Sequence, residues 1–232
     1  MSASAALAKG DVHDMTGDNP KARPIPVLNP HFPKVVLFLG LVITATSLLQ
    51  FLVPENIEFE MMTSAALIHI NDYHQDSRRL GKYLPYILHV FLHGGVIHLV
   101  LNMWALMVFG PPVARALGGS LRGRSLFLIF FFVCAIGGGI FQMVVFVWQN
   151  EYGAAIGASS ALSGLLPAMG WLEGRWRAAL RMALPWLLIN IGLAVAELVI
   201  AFPIAWAAHI GGLAAGFMFP VFFALSRTGP GR

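Results

Sequence analysis

Apolar residues fall into six runs, at about residues 35–53, 95–114, 125–148, 158–172, 178–201 and 204–225. Most approach the roughly 20 residues that carry an α-helix across a bilayer, and the fourth is short. Between the first two runs lies a polar stretch of about 40 residues containing NDYHQDSRRLGKYLPY, too long for a simple turn. The first 33 residues are polar and broken by Pro and Gly. They lack the compact apolar core of a secretory signal and read as a disordered tail. The pattern predicts an all-α membrane protein with a tail over 1–33, a six-span domain over 34–228 and a short C-terminal tail over 229–232.

Composition strengthens this reading. The chain is 57% hydrophobic and 11% charged, against about a quarter charged in ordinary soluble domains. A net charge of +4 raises the question of nucleic acid. The cations, however, stand in short clusters between apolar runs, which carries topological information and predicts no nucleic-acid partner. Lys21, Arg23 and Lys34 precede the first run; Arg115, Arg122 and Arg124 follow the second; Arg175, Arg177 and Arg181 separate the fourth from the fifth; Arg227 and Arg232 follow the last. The positive-inside rule then places both termini in the cytoplasm. Arg78, Arg79 and Lys82 disagree, but they lie in the long first loop among Glu55, Glu58, Glu60, Asp72 and Asp76, where charge weighs less. The single cysteine, Cys134, excludes a disulfide framework.

With that orientation, four polar side chains share the outer leaflet. Ser159 begins the fourth run, His98 and Asn102 begin the second, and His209 lies early in the sixth, after Pro203. A serine in a membrane helix is most often packing or bonded to its own backbone. An ionisable residue at membrane depth is instead a functional hypothesis. A serine hydroxyl becomes a nucleophile only when a base takes its proton, and neutral imidazole is the usual base. His209 is the only histidine in the last four runs. Helical spacing puts His209, Gly212 and Gly216 on one stripe and Ser159 and Ser163 on another. Small-xxx-small stripes are where membrane helices approach most closely. Facing stripes would bring Ser159 to His209, with Ser163 a weaker rival one turn deeper and Ser160 turned away.

His98 and Asn102, four apart, share a face and could donate to an oxyanion beside backbone N–H groups; an interhelical hydrogen-bond network is the bland alternative. His93 falls off that face and is placed just before the helix, tying the first loop down. Three histidines could in principle bind a metal, but HExxH is absent and no carboxylate lies near them in sequence. Glu197 could orient His209 as a triad carboxylate does. The interface is its more natural place, so a Ser–His dyad is the economical reading.

Three motifs, HGGVIHLVLNMW, IGASSALSG and AAHIGGLAAGF, resemble the H-x4-H-x3-N, G-x-S-G and A-H-x-x-G-x-x-x-G blocks of the rhomboid intramembrane serine proteases. They stand in the same order and on the second, fourth and sixth spans. The resemblance covers about residues 34–228. It implies Ser159 as nucleophile, His209 as base, and His98 and Asn102 with the Ala158 and Ser159 backbone N–H groups as the oxyanion hole. Gly157 would open the nucleophile motif, and Gly212 and Gly216 would let the sixth span pack on the fourth. It further implies a first loop lying partly sideways in the bilayer and a lateral gate over about 186–204. No metal or cofactor is implied, and the partners would be the lipid bilayer and single-span membrane-protein substrates.

Two positions depart from the family pattern. Ser160 replaces the glycine after the nucleophile, and Ser163 stands where an aromatic or bulky residue often packs under the histidine. The compact form suggests a bacterial inner membrane. The competing expectation is a catalytically inactive rhomboid-like protein that binds membrane helices.

Overall fold

The computed structural model describes residues 32–69, 80–150, 152–200 and 204–228. The two tails, apart from Phe32 and Pro33, lie outside the described residues, as do Asp72, Asp76, Arg78, Arg79 and Pro203. The chain runs α1 (Lys34–Leu52), α2 (Glu55–Ala65), β1 (Leu67–His69), α3 (Pro85–Leu88) with a 3-10 turn (His89–Phe91), α4 (Val96–Leu117), α5 (Leu121–Gln149), β2 (Gly153–Ala155), α6 (Ser159–Glu197), α7 (Trp206–Gly216) and α8 (Phe219–Arg227). Among the described residues, five helical stretches are long and apolar enough to cross a membrane, with α7 and α8 forming one of them.

The 39-residue α6 is two spans. At Gly174 and Arg175 the backbone leaves helical geometry, with Arg175 left-handed at φ 59°. The Arg175 guanidinium lies 4.2 Å from the centre of the Trp171 ring, a cation–π contact that holds the bend. Beyond it the chain doubles back. A Cβ on Gly170 would meet the Ala178 carbonyl, and the Trp186 indole reaches Ser163. The limbs 159–173 and 176–197 are therefore an antiparallel hairpin, which makes the bundle six-spanned.

Glycine decides where the helices touch. On α7, a Cβ at Gly212 would run into the Ser160 carbonyl, and one at Gly216 into the Gly164 carbonyl and Pro167. The face of α6 in closest approach is thus 160/164/167, one residue round from the expected 159/163 stripe. The glycine stripe meets backbone, and the Ser159 side chain lies at its edge, outside that contact. Gly211 similarly meets Gly137 and Gly138 of α5. Around this centre the core is aromatic: Phe127, Phe130, Phe131 and Phe219 are fully buried.

The described loop residues depart from a simple all-helical picture in one respect. β1 and β2 form a short antiparallel pair, with Leu67 opposite Ala155, which fastens the first loop to the segment just before α6. The other end of that loop is fixed to α1. Gln50 donates to the His93 carbonyl at 3.1 Å and accepts from the His93 N–H at 3.0 Å, while the Ser47 hydroxyl and His93 Nδ1 lie 2.8 Å apart. Gln50→Leu would leave two buried backbone groups unpaired and is expected to destabilise the fold by roughly 2–4 kcal/mol. A thermal melt beside the exposed-site control Leu49→Ala measures this.

Candidate active site

The bend in α6 puts the start of its first limb and the end of its second at the same end of the bundle as the start of α7. The described arginines gather at the opposite end, where Arg122 donates to the Leu225 carbonyl at 2.8 Å. At the first end Gly157 turns the chain with φ +112°, a conformation that suits glycine because it lacks a Cβ. Its N–H donates to the His89 carbonyl at 2.9 Å. The helix then begins at Ser159, with Ala158 as its cap residue and no side-chain cap. The first-turn N–H groups therefore have no partner within the helix and carry the positive end of its dipole.

Ser159 Oγ lies 2.8 Å from His209 Nε2. His209 is buried in the first turn of α7, whose start is held by a bond from Ala208 N–H to Gln142 Oε1 at 3.0 Å. On the far side of the imidazole, Nδ1 lies 2.7 Å from Asn190 Oδ1. The Trp186 ring packs on the histidine at 5.4 Å between centroids, and its indole N–H donates to Ser163 Oγ at 2.9 Å. Ser163 in turn donates to the Ser159 carbonyl at 2.7 Å. The aromatic support that Ser163 cannot supply thus comes from the second limb of α6, and the small serine makes room for it. Ser163 is committed to these two bonds and is placed away from a nucleophile's role.

Ser160 is also occupied: its hydroxyl lies 3.2 Å from His89 Nε2, while His89 Nδ1 donates to the Pro85 carbonyl at 2.9 Å. The hydroxyl that replaces the expected glycine fastens the nucleophile turn to the first loop. Burial of His89 pulls its pKa down to about 4, so the contact is one between neutral groups at ordinary pH.

His98 leans over the turn. Its Nδ1 accepts from the Gly94 N–H at 3.3 Å, so in the neutral ring the proton sits on Nε2. That nitrogen would be 2.8 Å from a Cβ on Gly157, a point itself 3.8 Å from Ser159 Oγ. The arrangement aims an N–H donor at the space beside the serine. Asn102 is buried and donates one N–H to the His98 carbonyl at 2.8 Å, leaving its second for another acceptor. Its Oδ1, like Nε2 of His93, is buried without a partner among the described residues. His93 stands 5.0 Å from His98, ring to ring, and reaches α1 instead of the serine. Glu197 accepts from the Trp206 indole, joining the end of α6 to α7; it does not touch His209.

Ser159, His209 and His98 therefore meet at one point, Asn102 supports the His98 turn, and Gly157, Gly212 and Gly216 set the approach of the backbones. Sequence reasoning missed Asn190 and Trp186. A signal existed: Asn190 is the only uncharged polar side chain between Ala178 and Ala201, Trp186 aside, and lies four residues after that tryptophan. With a lone hydroxyl donor, a bare imidazole nitrogen and converging N–H groups, the site can perform acyl transfer.

A family model described as the Rhomboid domain matches residues 80–226. Among curated proteins, the chain is 34% identical over 135 residues to RHOMBOID-like protein 4 of Arabidopsis thaliana, covering 55% of this chain and 31% of that protein. It is 35% identical over 136 residues to RHOMBOID-like protein 6, mitochondrial, covering 55% and 39%, and 29% identical over 143 residues to RHOMBOID-like protein 1, covering 59% and 33%, both from the same plant. The alignments span 31–39% of the length of these relatives.

Proposed function

The chain belongs to the rhomboid family, and on that premise we propose that it is an intramembrane serine endopeptidase that cleaves the transmembrane helices of membrane-protein substrates. The observation that carries the reading is the 2.8 Å contact between Ser159 Oγ and His209 Nε2 at a helix N-terminus. Ser159 Oγ attacks the scissile carbonyl carbon as its proton passes to Nε2. The oxyanion is received by the Nε2–H of His98, the free N–H of Asn102 and the backbone N–H groups of Ala158 and Ser159. Each such donor contributes about 3–4 kcal/mol to the transition state. Collapse expels the amine, which takes the proton from His209, and water then hydrolyses the acyl-enzyme by the same route in reverse.

The site lies at the end of the bundle opposite the described arginines. This supports termini in the cytoplasm and water entry from the outer side. The compact six-span form supports a bacterial inner membrane as the location, although the matched relatives are plant proteins. The second limb of α6 and the connection to α7 would form the lateral entrance for single-span substrates. That limb is exposed along Leu184, Leu188, Ile189, Ile191 and Val195.

A peptide bond within a helix is shielded by the helix itself, so substrates should carry Gly or Pro near the scissile bond. In proteoliposomes containing the purified protein and a single-span substrate, replacing such residues by Leu is expected to slow cleavage about 10- to 100-fold, following helix propensity. Equal cleavage of both substrates overturns the helix-weakening requirement. Binding of the substrate without any cleavage moves the assignment to a helix-binding, inactive relative.

A further inference from the structure

We propose that Asn190 is the third member of the site, a positioning residue that fixes which nitrogen of His209 is bare. The inference rests on the protease reading above for its consequence but on geometry for its content. A neutral imidazole can accept from Ser159 only at a nitrogen without a proton. The side-chain amide of Asn190 decides which nitrogen that is. Its Nδ2 donates to the Trp186 carbonyl at 2.8 Å, a partner that can only accept, so the amide cannot be flipped without setting two oxygens against each other. Oδ1 therefore faces His209 Nδ1 at 2.7 Å. An amide oxygen only accepts, so Nδ1 carries the proton. Nε2 is then left with its lone pair directed at Ser159 Oγ, 2.8 Å away. One backbone carbonyl thus sets the tautomer of the base through a chain of three hydrogen bonds.

The surroundings agree. Asn190 is fully buried, and it is the only buried residue of the second limb beyond Ala183. Among the described residues no carboxylate is hydrogen-bonded to His209: Glu197, the acidic residue on the same limb, is taken by Trp206. Trp186, one turn before Asn190, holds the ring from its face, while Asn190 holds it at its edge. The orienting group rides on the limb that the protease reading assigns to substrate entry, so displacement of that limb also removes the partner of Nδ1.

The experiment compares wild type, Asn190→Leu and Asn190→Asp in the full-length protein in detergent, with histidine labelled by nitrogen-15. The wild-type spectrum should show His209, identified by its loss in His209→Ala, with Nδ1 protonated and Nε2 bare. Asn190→Leu should give a mixture of tautomers and slow labelling of Ser159 by a fluorophosphonate about 10- to 100-fold. Asn190→Asp keeps an acceptor for Nδ1–H but cannot donate to the Trp186 carbonyl. It should restore the wild-type tautomer and most of the labelling rate. If Asp behaves like Leu, Asn190 only ties the limb together and the positioning role is overturned. It is equally overturned by a wild-type His209 protonated at Nε2. A folded wild type that shows the expected tautomer but no Ser159-dependent labelling instead removes the protease reading and leaves the positioning of His209 standing.

Discussion

Ser159→Ala is expected to abolish covalent labelling by a fluorophosphonate, and His209→Ala to reduce it by roughly 10⁴- to 10⁶-fold, as in sites where nucleophile and base act as one unit. The double variant should label no more than Ser159→Ala alone, because the histidine acts only through that serine. Each single substitution removes the same 2.8 Å contact from one side, and a serine without its base is a poor nucleophile. Neither change enlarges a side chain or breaks the glycine contacts between α6 and α7, so both variants should melt close to the wild type. Rates of gel-detected labelling, with a thermal melt of each sample, provide the measurement. Labelling that persists in Ser159→Ala would name another serine. Both neighbours are hydrogen-bonded elsewhere, Ser160 to His89 and Ser163 to the Ser159 carbonyl and Trp186, so their labelling would require the site to rearrange.

Gly212→Ala is expected to cost more than the same change at any other glycine among the described residues. A Cβ there points into the carbonyl group and Cα of Ser160, all backbone, so no rotamer change can relieve the clash. The two helices must separate at the point where the nucleophile and the base are brought together. Overpacking of this kind typically destabilises by about 1–3 kcal/mol, and a contact against backbone lies at or beyond the top of that range. Because His209 is on α7 three residues before Gly212 and Ser159 adjoins Ser160, the same separation should lengthen the Ser–His contact. Activity should therefore fall even at temperatures where the variant remains folded. A melt paired with labelling below the melting point separates the two effects. Gly192, whose Cβ would meet nothing, supplies the control: Gly192→Ala should leave both unchanged.

These expectations depend unequally on sequence and structure. The spans were legible because a bilayer demands apolar length, and the observed helices begin and end within a few residues of the apolar runs. The bend between the fourth and fifth spans was also legible, since Gly174 and the basic residues after it interrupt the run, and the backbone leaves helical geometry at Gly174 and Arg175. The short strands of the first loop were not. Three residues such as Leu67–His69 carry too little alternation to signal a strand, and their pairing with 153–155 is fixed by two helices that bring them side by side. The orienting side chain was missed for a related reason. Asn190 lies 31 residues after Ser159 and 19 before His209, and nothing in the spacing of a chain tells which face of a later helix will turn inward.

The sequence by itself determined that the protein crosses a membrane in six spans, where the basic clusters fall between the apolar runs, and which polar residue types stand near the starts of the second, fourth and sixth runs. These follow from local rules: helix length against bilayer thickness, charge against the membrane, and residues three or four apart on one face. Only the tertiary structure decided that Gly212 meets the Ser160 backbone, that Trp186 takes the place left by Ser163, that His89 holds Ser160, and that Asn190 stands behind His209. Each of those is a contact between separate helices, set by the crossing and rotation of packed surfaces. That geometry depends on all the helices at once.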